Sequence, residues 1–154
     1  MEQRITVTRS IAAPPGAVWA VLTDLDSAPD TLSGVTAVER LDGGGEYRVG
    51  TRWRETRVMF GKSATEEMQV AEAVPEQRTV VTAESGRARY RTVFELTPTS
   101  TGTDLAMEFS GDSGPLGAAA QLLMTLAAPL AKRATTKALR QDLDDIAATA
   151  ERRV

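Results

Sequence analysis

The sequence contains no cysteine and no histidine, and it is poor in aromatic residues. Of its 154 residues only 5% are Phe, Trp or Tyr. Without cysteine, the chain can form no disulfide, thiolate nucleophile or Cys-based metal site. Without histidine, a Ser-His-Asp triad and imidazole metal sites are also excluded, so any catalysis would have to use Asp, Glu, Tyr, Lys, Arg or bound water. We therefore expect no metal and no cofactor.

The charge and hydropathy patterns also limit the partners and the location that we expect. Eighteen basic and 21 acidic residues leave a net charge of −3, and no Lys/Arg stripe is present that could follow a phosphate backbone, so nucleic acid is not an expected partner. The first ten residues alternate polar and apolar side chains without the apolar core of a secretory signal, which favours a cytoplasmic location. The longest apolar run, 116–131, contains Pro129 and is shorter than the ~20 residues of a membrane span, so we expect no stable membrane insertion.

The length and pattern predict a single domain, residues 1–154, of the α+β class. Alternation and β-forming residues predict seven strands, and short Gly- or Pro-containing breaks between the last six make the sheet antiparallel. The predicted strands cover residues 5–11, 34–41, 51–59, 63–73, 79–84, 89–96 and 104–110. Helical spacing after Pro14-Pro15, and a second brief turn ending near Leu32, predict two short helices between strands 1 and 2.

Residues 115–150 are predicted to form a long C-terminal helix with two apolar stripes. Leu116, Leu123, Leu126 and Leu130 share one side of the helical wheel, whereas Leu139, Leu143 and Ile146 lie nearly opposite. One straight helix cannot bury both stripes against one sheet. We favour a kink or break near Pro129; the alternative is a straight helix whose second stripe meets a partner chain.

Several phrases of the sequence resemble the START-like, or SRPBCC, superfamily of helix-grip proteins, which includes polyketide cyclase/dehydrase and lipid-transfer members. The matching segments are 10–24 (SIAAPPGAVWAVLTD), 50–57 (GTRWRETR), 94–98 (FELTP) with Gly102-Thr103, and the closing amphipathic helix. The resemblance covers essentially the whole chain. It implies a curved seven-stranded antiparallel sheet around the C-terminal helix, with an apolar cavity between them that takes lipid-, polyketide- or sterol-like ligands. Only some members of the superfamily are enzymes.

The segment GTRWRETRVMFGKSATEEM, residues 50–68, indicates where polar groups enter such a cavity. If Phe60-Gly61 is a two-residue turn, Met59 pairs with Lys62 and Trp53 with Met68. The apolar Trp53–Met68 pair must face inward, and the same register brings three charged side chains to the same side. These are Glu55, Arg57 and Glu66.

Glu55 and Glu66 lie directly opposite each other in this register, and two adjacent carboxylates repel unless a cation or a shared proton intervenes. One interpretation is structural: Arg57 bridges both carboxylates and fixes the register of the sheet. The other is functional: the cluster lines the cavity and hydrogen-bonds a ligand. If the protein is an enzyme, the catalytic candidates are Glu55, Glu66, Arg57 and Tyr90, in a metal-free cyclase/dehydratase reaction.

Further residues complete the predicted ligand-binding set. Tyr90 is the most informative of them, because an inward phenol needs a partner that a ligand could supply. The others, for which plain core packing is an alternative, are Thr92, Phe94, Leu105, Met107, Phe109, Leu123, Met124, Leu126 and Leu130. We expect a small hydrophobic molecule as partner and a monomer or homodimer. The alternatives to a binding protein are the cyclase/dehydratase and a protein-interaction module that uses the apolar stripe after Leu116.

Overall fold

The computed structural model of the chain describes residues 2–59, 61–112 and 117–154, and it describes the backbone alone at positions 2, 59, 120, 121, 124 and 125. Ten helices and strands follow one another along it. They are β1 (Glu2–Ile11), α1 (Pro15–Leu22), α2 (Ala28–Thr31), β2 (Val35–Arg40), β3 (Arg52–Met59), β4 (Lys62–Val74), β5 (Arg78–Ser85), β6 (Ala88–Pro98), β7 (Thr103–Asp112) and α3 (Ala118–Arg152).

The seven strands form one antiparallel sheet in the order β1-β7-β6-β5-β4-β3-β2. From β2 to β7 each strand pairs with its neighbour in sequence, and β1 joins the far edge beside β7. The predicted α+β helix-grip fold, with its curved seven-stranded sheet, two short helices after β1 and long C-terminal helix, is confirmed.

Local sequence explains where the short helices begin. Pro15 occupies the first turn of α1, where its missing N–H costs no hydrogen bond. Ser27 is the N-cap of α2, but its hydroxyl makes no capping hydrogen bond. Instead, the Ser27 backbone N–H donates to Asp24 Oδ1 at 3.3 Å. The α1–α2 segment is therefore tied down by its own connecting loop.

Buried apolar side chains form two clusters. The larger one packs α1 and the C-terminal half of α3 against β1, β6 and β7, with Val18, Leu105 and Leu143 each at most 1% exposed. The smaller one lies under β3, β4 and β5 and includes Trp53, Val70 and Val81. Between these two clusters, the centre of the sheet's concave face is covered by neither of them.

The long helix α3 runs as one element through Pro129, so a break near this proline is absent; the kink that we favoured as the other possibility stays a prediction. The stripe of Leu139, Leu143 and Ile146 is buried, at 7%, 1% and 3% exposure. The other stripe is exposed, with Leu126 at 72% and Leu130 at 73%; its first member, Leu116, lies outside the described residues. The sheet thus takes up one of the two apolar faces of α3.

Candidate ligand-binding site

A partly open cavity of about 380 Å³ lies between the sheet, the α1–α2 segment and α3. Both core clusters border it. Trp53 and Val81 line it from the smaller cluster, and Met107, Leu139 and Ile146 line it from the larger one. Most of its wall is therefore apolar and is made by the packed elements themselves.

The β3–β4 hairpin supplies the polar part of the wall. Its register pairs Met59 with Lys62, Trp53 with Met68 and Glu55 with Glu66, as predicted. Gly61 has a φ of +72°, a conformation that glycine adopts without steric cost in a tight turn. Because successive side chains point to opposite faces, six side chains of the hairpin come to the cavity on alternate positions. These are Ala64 and the five predicted residues Trp53, Glu55, Arg57, Glu66 and Met68.

Arg57 joins the sheet to the long helix. Its Nη1 donates a hydrogen bond of 3.0 Å to Asp142 Oδ1 of α3, and its Nε lies 3.5 Å from Glu55 Oε2. In the structural interpretation Arg57 bridges Glu55 and Glu66; the structure gives it Asp142 as its second partner in place of Glu66. Gly34 leaves room for this guanidinium, since a Cβ at position 34 would lie 3.1 Å from Nη1.

Burial and neighbouring charges shift the pKa values of this ion-pair group in opposite directions. Burial lowers the pKa of Arg57, but the carboxylates of Asp142 and Glu55 outweigh it and leave the pKa raised. Burial, with smaller contributions from the charges of Glu55 and Asp145, raises the pKa of Asp142, and Arg57 offsets this rise only in part. Asp142, whose side chain is 7% exposed, therefore depends on Arg57 to carry its charge.

Glu66 differs from the other carboxyls of the cavity. Within the described part of the chain its carboxyl has no hydrogen bond and no ion pair. Burial and the facing Glu55 raise its pKa, and Arg57 lowers it by less. A half-buried carboxyl that lacks a partner and lines a cavity is a group that a ligand can hydrogen-bond.

Tyr90 lines the same part of the cavity. Its ring stacks on Phe109, with centroids 5.6 Å apart and an interplanar angle of 19°. The ring also lies over Gly111, its cross-strand partner, where a Cβ would come within 2.9 Å of Cδ1. Burial, and then the charge of Glu66, raise the pKa of the phenol. The phenol is therefore neutral at physiological pH and can donate a hydrogen bond.

Tyr47 is a cavity residue that the sequence analysis missed, because it lies in the irregular connection between β2 and β3. Its hydroxyl is 2.7 Å from Thr79 Oγ1, and Thr79 donates its own proton to the Glu72 carbonyl at 2.9 Å. Tyr47 must therefore be the donor to Thr79. Burial raises the pKa of Tyr47 to about 12, which keeps the donor protonated. Its ring contacts that of Trp53, whose Nε1 is buried without a partner among the described residues.

The structure brings together ten of the fifteen predicted ligand-binding residues. Besides the five of the hairpin, they are Tyr90, Thr92, Phe94, Met107 and Phe109. Leu105 instead is fully buried in the larger core cluster. Met124 lies outside the described side chains. Whether any of these residues binds a ligand stays a prediction.

The three remaining predicted residues are on the wrong side of α3. Leu123, Leu126 and Leu130 are 68%, 72% and 73% exposed and do not line the cavity. Periodicity identifies residues that share a helix face, but it does not tell which of two apolar faces meets the sheet. The helix contributes its other face. The lining residues from α3 are Thr135, Ala138, Leu139, Asp142 and Ile146.

A sequence signal for Asp142 was present. It falls between Leu139 and Ile146 on the buried stripe, and a carboxylate on an apolar stripe requires a charged or hydrogen-bonding partner.

Throughout the described ranges, no group of three or more acidic side chains is arranged to hold a metal ion. No helix that the structure describes is long and apolar enough to cross a membrane.

The fold and this cavity can be compared with known proteins. A family model described as polyketide cyclase/dehydrase and lipid transport matches residues 2–151. The chain belongs to this family. The resemblance found in the sequence is thereby confirmed over nearly the whole chain, and no curated protein shows significant sequence similarity to it.

Solved structures similar to this family member share its fold. The Zhui aromatase/cyclase from Streptomyces sp. R1128 has a TM-score of 0.81 at 17% identity, with 99% of this chain and 96% of that chain covered. The protein TTHA0849 from Thermus thermophilus has a TM-score of 0.77 at 20% identity, with 97% of each chain covered. The di-domain aromatase/cyclase StfQ of the steffimycin pathway has a TM-score of 0.80 at 14% identity, with 99% and 52% covered. At such identities the likeness establishes the helix-grip fold alone.

Proposed function

We propose that the protein binds a small hydrophobic or amphipathic molecule in the cavity between the sheet and α3. The observation that carries this proposal is the cavity of about 380 Å³ that separates the two core clusters. A cavity of this size with a mostly apolar wall and a few convergent polar groups is typical of small-molecule sites. Membership in a family that includes lipid transport supports the same function. The cytoplasmic location and the monomeric or homodimeric state stay predictions.

The test is a binding titration with a variant that fills the cavity. Nile red, a neutral apolar dye, should bind the protein with increased fluorescence. Ala138→Phe places a ring in the cavity from α3 and should weaken dye binding at least about tenfold, since the ring takes space that the dye needs. Ala148→Phe, on the exposed side of the same helix, is the matched control and should bind the dye as the wild type does.

Two results would contradict the proposal. One is the absence of dye binding by the wild type, together with no small molecule retained by the purified protein in native mass spectrometry. The other is equal dye binding by Ala138→Phe and the wild type. The circular dichroism of each variant must match that of the wild type for the comparison to be valid.

A second candidate function is a cyclase/dehydratase reaction in the same cavity. It is favoured by the unpartnered Glu66 carboxyl beside the neutral phenol of Tyr90. Glu66, with its raised pKa, would move a proton to or from the carbon next to a carbonyl, and Tyr90 would donate a hydrogen bond to the oxygen that gains negative charge. With a poly-β-ketone thioester as substrate, Glu66→Gln should abolish any ring-closed product while leaving the melting temperature undiminished; unchanged turnover would contradict this function.

A further inference from the structure

Acidic side chains outnumber basic ones among the charged residues that line the cavity. Four are acidic, Asp24, Glu55, Glu66 and Asp142, whereas Arg57 is the one basic side chain among the described lining residues. A ligand that enters this cavity therefore meets an excess of negative charge, although most of the wall is apolar.

The acidic side chains are not equally compensated. Asp24 accepts a hydrogen bond from the Ser27 N–H and lies 3.9 Å from Arg153, so it has its own partners at the α1–α2 end. Arg57 is shared by Glu55 at 3.5 Å and Asp142 at 3.0 Å. Its positive charge is thus already offset by two carboxylates, so it leaves no net positive charge for the carboxylate or phosphate of a ligand.

Glu66 is the acidic side chain that remains. It faces Glu55 across the β3–β4 pair, and no hydrogen bond or ion pair of the described residues satisfies it. The groups whose charges act on it are Glu55 and Arg57, and its own charge acts on the phenol of Tyr90. An ammonium or hydroxyl group near Glu66 would gain a charge-assisted hydrogen bond, whereas a carboxylate there would add a third like charge.

We infer that the cavity selects amphiphiles whose polar end is a hydrogen-bond donor, an amine or an alcohol, that Glu66 accepts this hydrogen bond, and that the cavity discriminates against carboxylates such as fatty acids. This inference rests on the proposed binding function and specifies its ligand class. The Tyr90–Phe109 pair lies beside the polar end, and the apolar wall around Trp53 and Met68 accommodates the rest of the molecule.

The experiment compares three molecules with the same tail and different polar ends. Decylamine, decanol and decanoate compete with Nile red at pH 8, where the amine is protonated and decanoate is ionised. We expect decylamine and decanol to displace the dye from the wild type, with decanoate at least about tenfold weaker than decylamine, because like charges in a partly buried site repel strongly. In Glu66→Gln the affinity ratio of decylamine to decanoate should fall by about tenfold.

The matched control is Glu67→Gln. Glu67 is the next residue of β4, but it faces the outer side of the sheet and pairs with Arg52 and Arg54. Its substitution removes the same charge from the same strand and should leave the amine-to-carboxylate ratio unchanged. Decanol reports on the cavity without a charge of its own and should bind the wild type and Glu67→Gln within about twofold. In Glu66→Gln it should lose less affinity than decylamine does, because the glutamine carbonyl still accepts its hydrogen bond and only the charge assistance is lost.

The outcomes separate this inference from the proposed function. If decanol displaces the dye but decanoate binds the wild type as well as decylamine does, the ligand class is wrong and the binding function stands. The same conclusion follows if Glu66→Gln and Glu67→Gln have equal ratios. If the wild type binds neither the dye nor any of the three molecules, the binding function itself fails, and the inference fails with it.

Discussion

Replacement of Arg57 by methionine tests the ion-pair group that joins α3 to the sheet. Methionine keeps much of the length and apolar character of the arginine side chain but removes its charge. Asp142, at 7% side-chain exposure, and Glu55, at 15%, would then face each other and Glu66 without a cation. We therefore expect Arg57→Met to lower the free energy of unfolding.

The magnitude follows from the degree of burial. Removing one partner of a buried ion pair typically costs about 3–5 kcal/mol, because the other charge stays buried without compensation. Arg57 is 23% exposed, so water partly screens the group and the lower end, about 3 kcal/mol, is expected. That is a large fraction of the stability of a single domain.

The stability that Arg57→Met loses should increase as the pH rises. The folded-state pKa values of Asp142 and Glu66 lie above their ordinary values of 3.8 and 4.5, and removing Arg57 raises both further. Below about pH 3 these carboxyls are protonated in the folded and the unfolded chain, and the variant loses little. As the pH rises above the ordinary carboxyl range, the unfolded chain releases protons that the folded chain must retain, so the variant becomes progressively less stable than the wild type.

Urea denaturation at pH 4.5 and pH 8 measures this difference. Arg54→Met is the matched control: Arg54 belongs to the same strand, but it is on the outer face and pairs with the exposed Glu39 and Glu67, so its replacement should change stability far less. The double variant Arg57→Met/Asp142→Leu should regain part of the loss. A pH-independent effect, or equal effects of Arg57→Met and Arg54→Met, would refute the reasoning.

Four further substitutions give distinct expectations. Glu66→Gln should raise the melting temperature at pH 8 and leave it unchanged at pH 4, because a carboxyl whose pKa is raised on folding destabilises the folded state only above its ordinary range; a lower melting temperature at pH 8 would contradict this. Gly111→Ala should cost about 1–3 kcal/mol and weaken Nile red binding, since the new Cβ displaces the Tyr90 ring; wild-type binding would contradict it. Leu143→Ala should cost about 2–5 kcal/mol and Leu126→Ala under about 0.5 kcal/mol in urea denaturation, because only the former side chain is buried; equal losses would show that the helix buries its other face.

The register of the β3–β4 hairpin could be predicted from sequence because a tight turn fixes every pair that follows it. Once two residues connect the strands, the alternation of side chains places Trp53, Glu55 and Arg57 on one face without further assumptions. The apolar Trp53–Met68 pair then identifies that face as the inner one. Both parts of the prediction are local, and both are confirmed.

The partner of Arg57 could not be predicted in the same way. Asp142 is 85 positions away in sequence, and its contact depends on the rotation of α3 about its own axis. That rotation is decided by which apolar stripe meets the sheet. Leu126 and Leu139 lie on different stripes but are the same residue type, so the sequence does not show which stripe is buried. For the same reason the prediction placed the leucines of the exposed stripe at the cavity in place of Thr135 and Ala138.

The structural interpretation of the hairpin charges describes Arg57 and Glu55, whereas the functional interpretation stays a prediction for Glu66. Arg57, Glu55 and Asp142 satisfy one another and hold α3 over the sheet, as a structural cluster should. Glu66 takes no part in that arrangement and keeps its carboxyl toward the cavity, at a cost in stability. If the cluster were purely structural, a glutamine at position 66 would remove this cost in stability. A charge that stabilises nothing in the folded chain is explained if it meets a ligand, and for this reason Arg57→Met should act mainly on unfolding and Glu66→Gln mainly on binding.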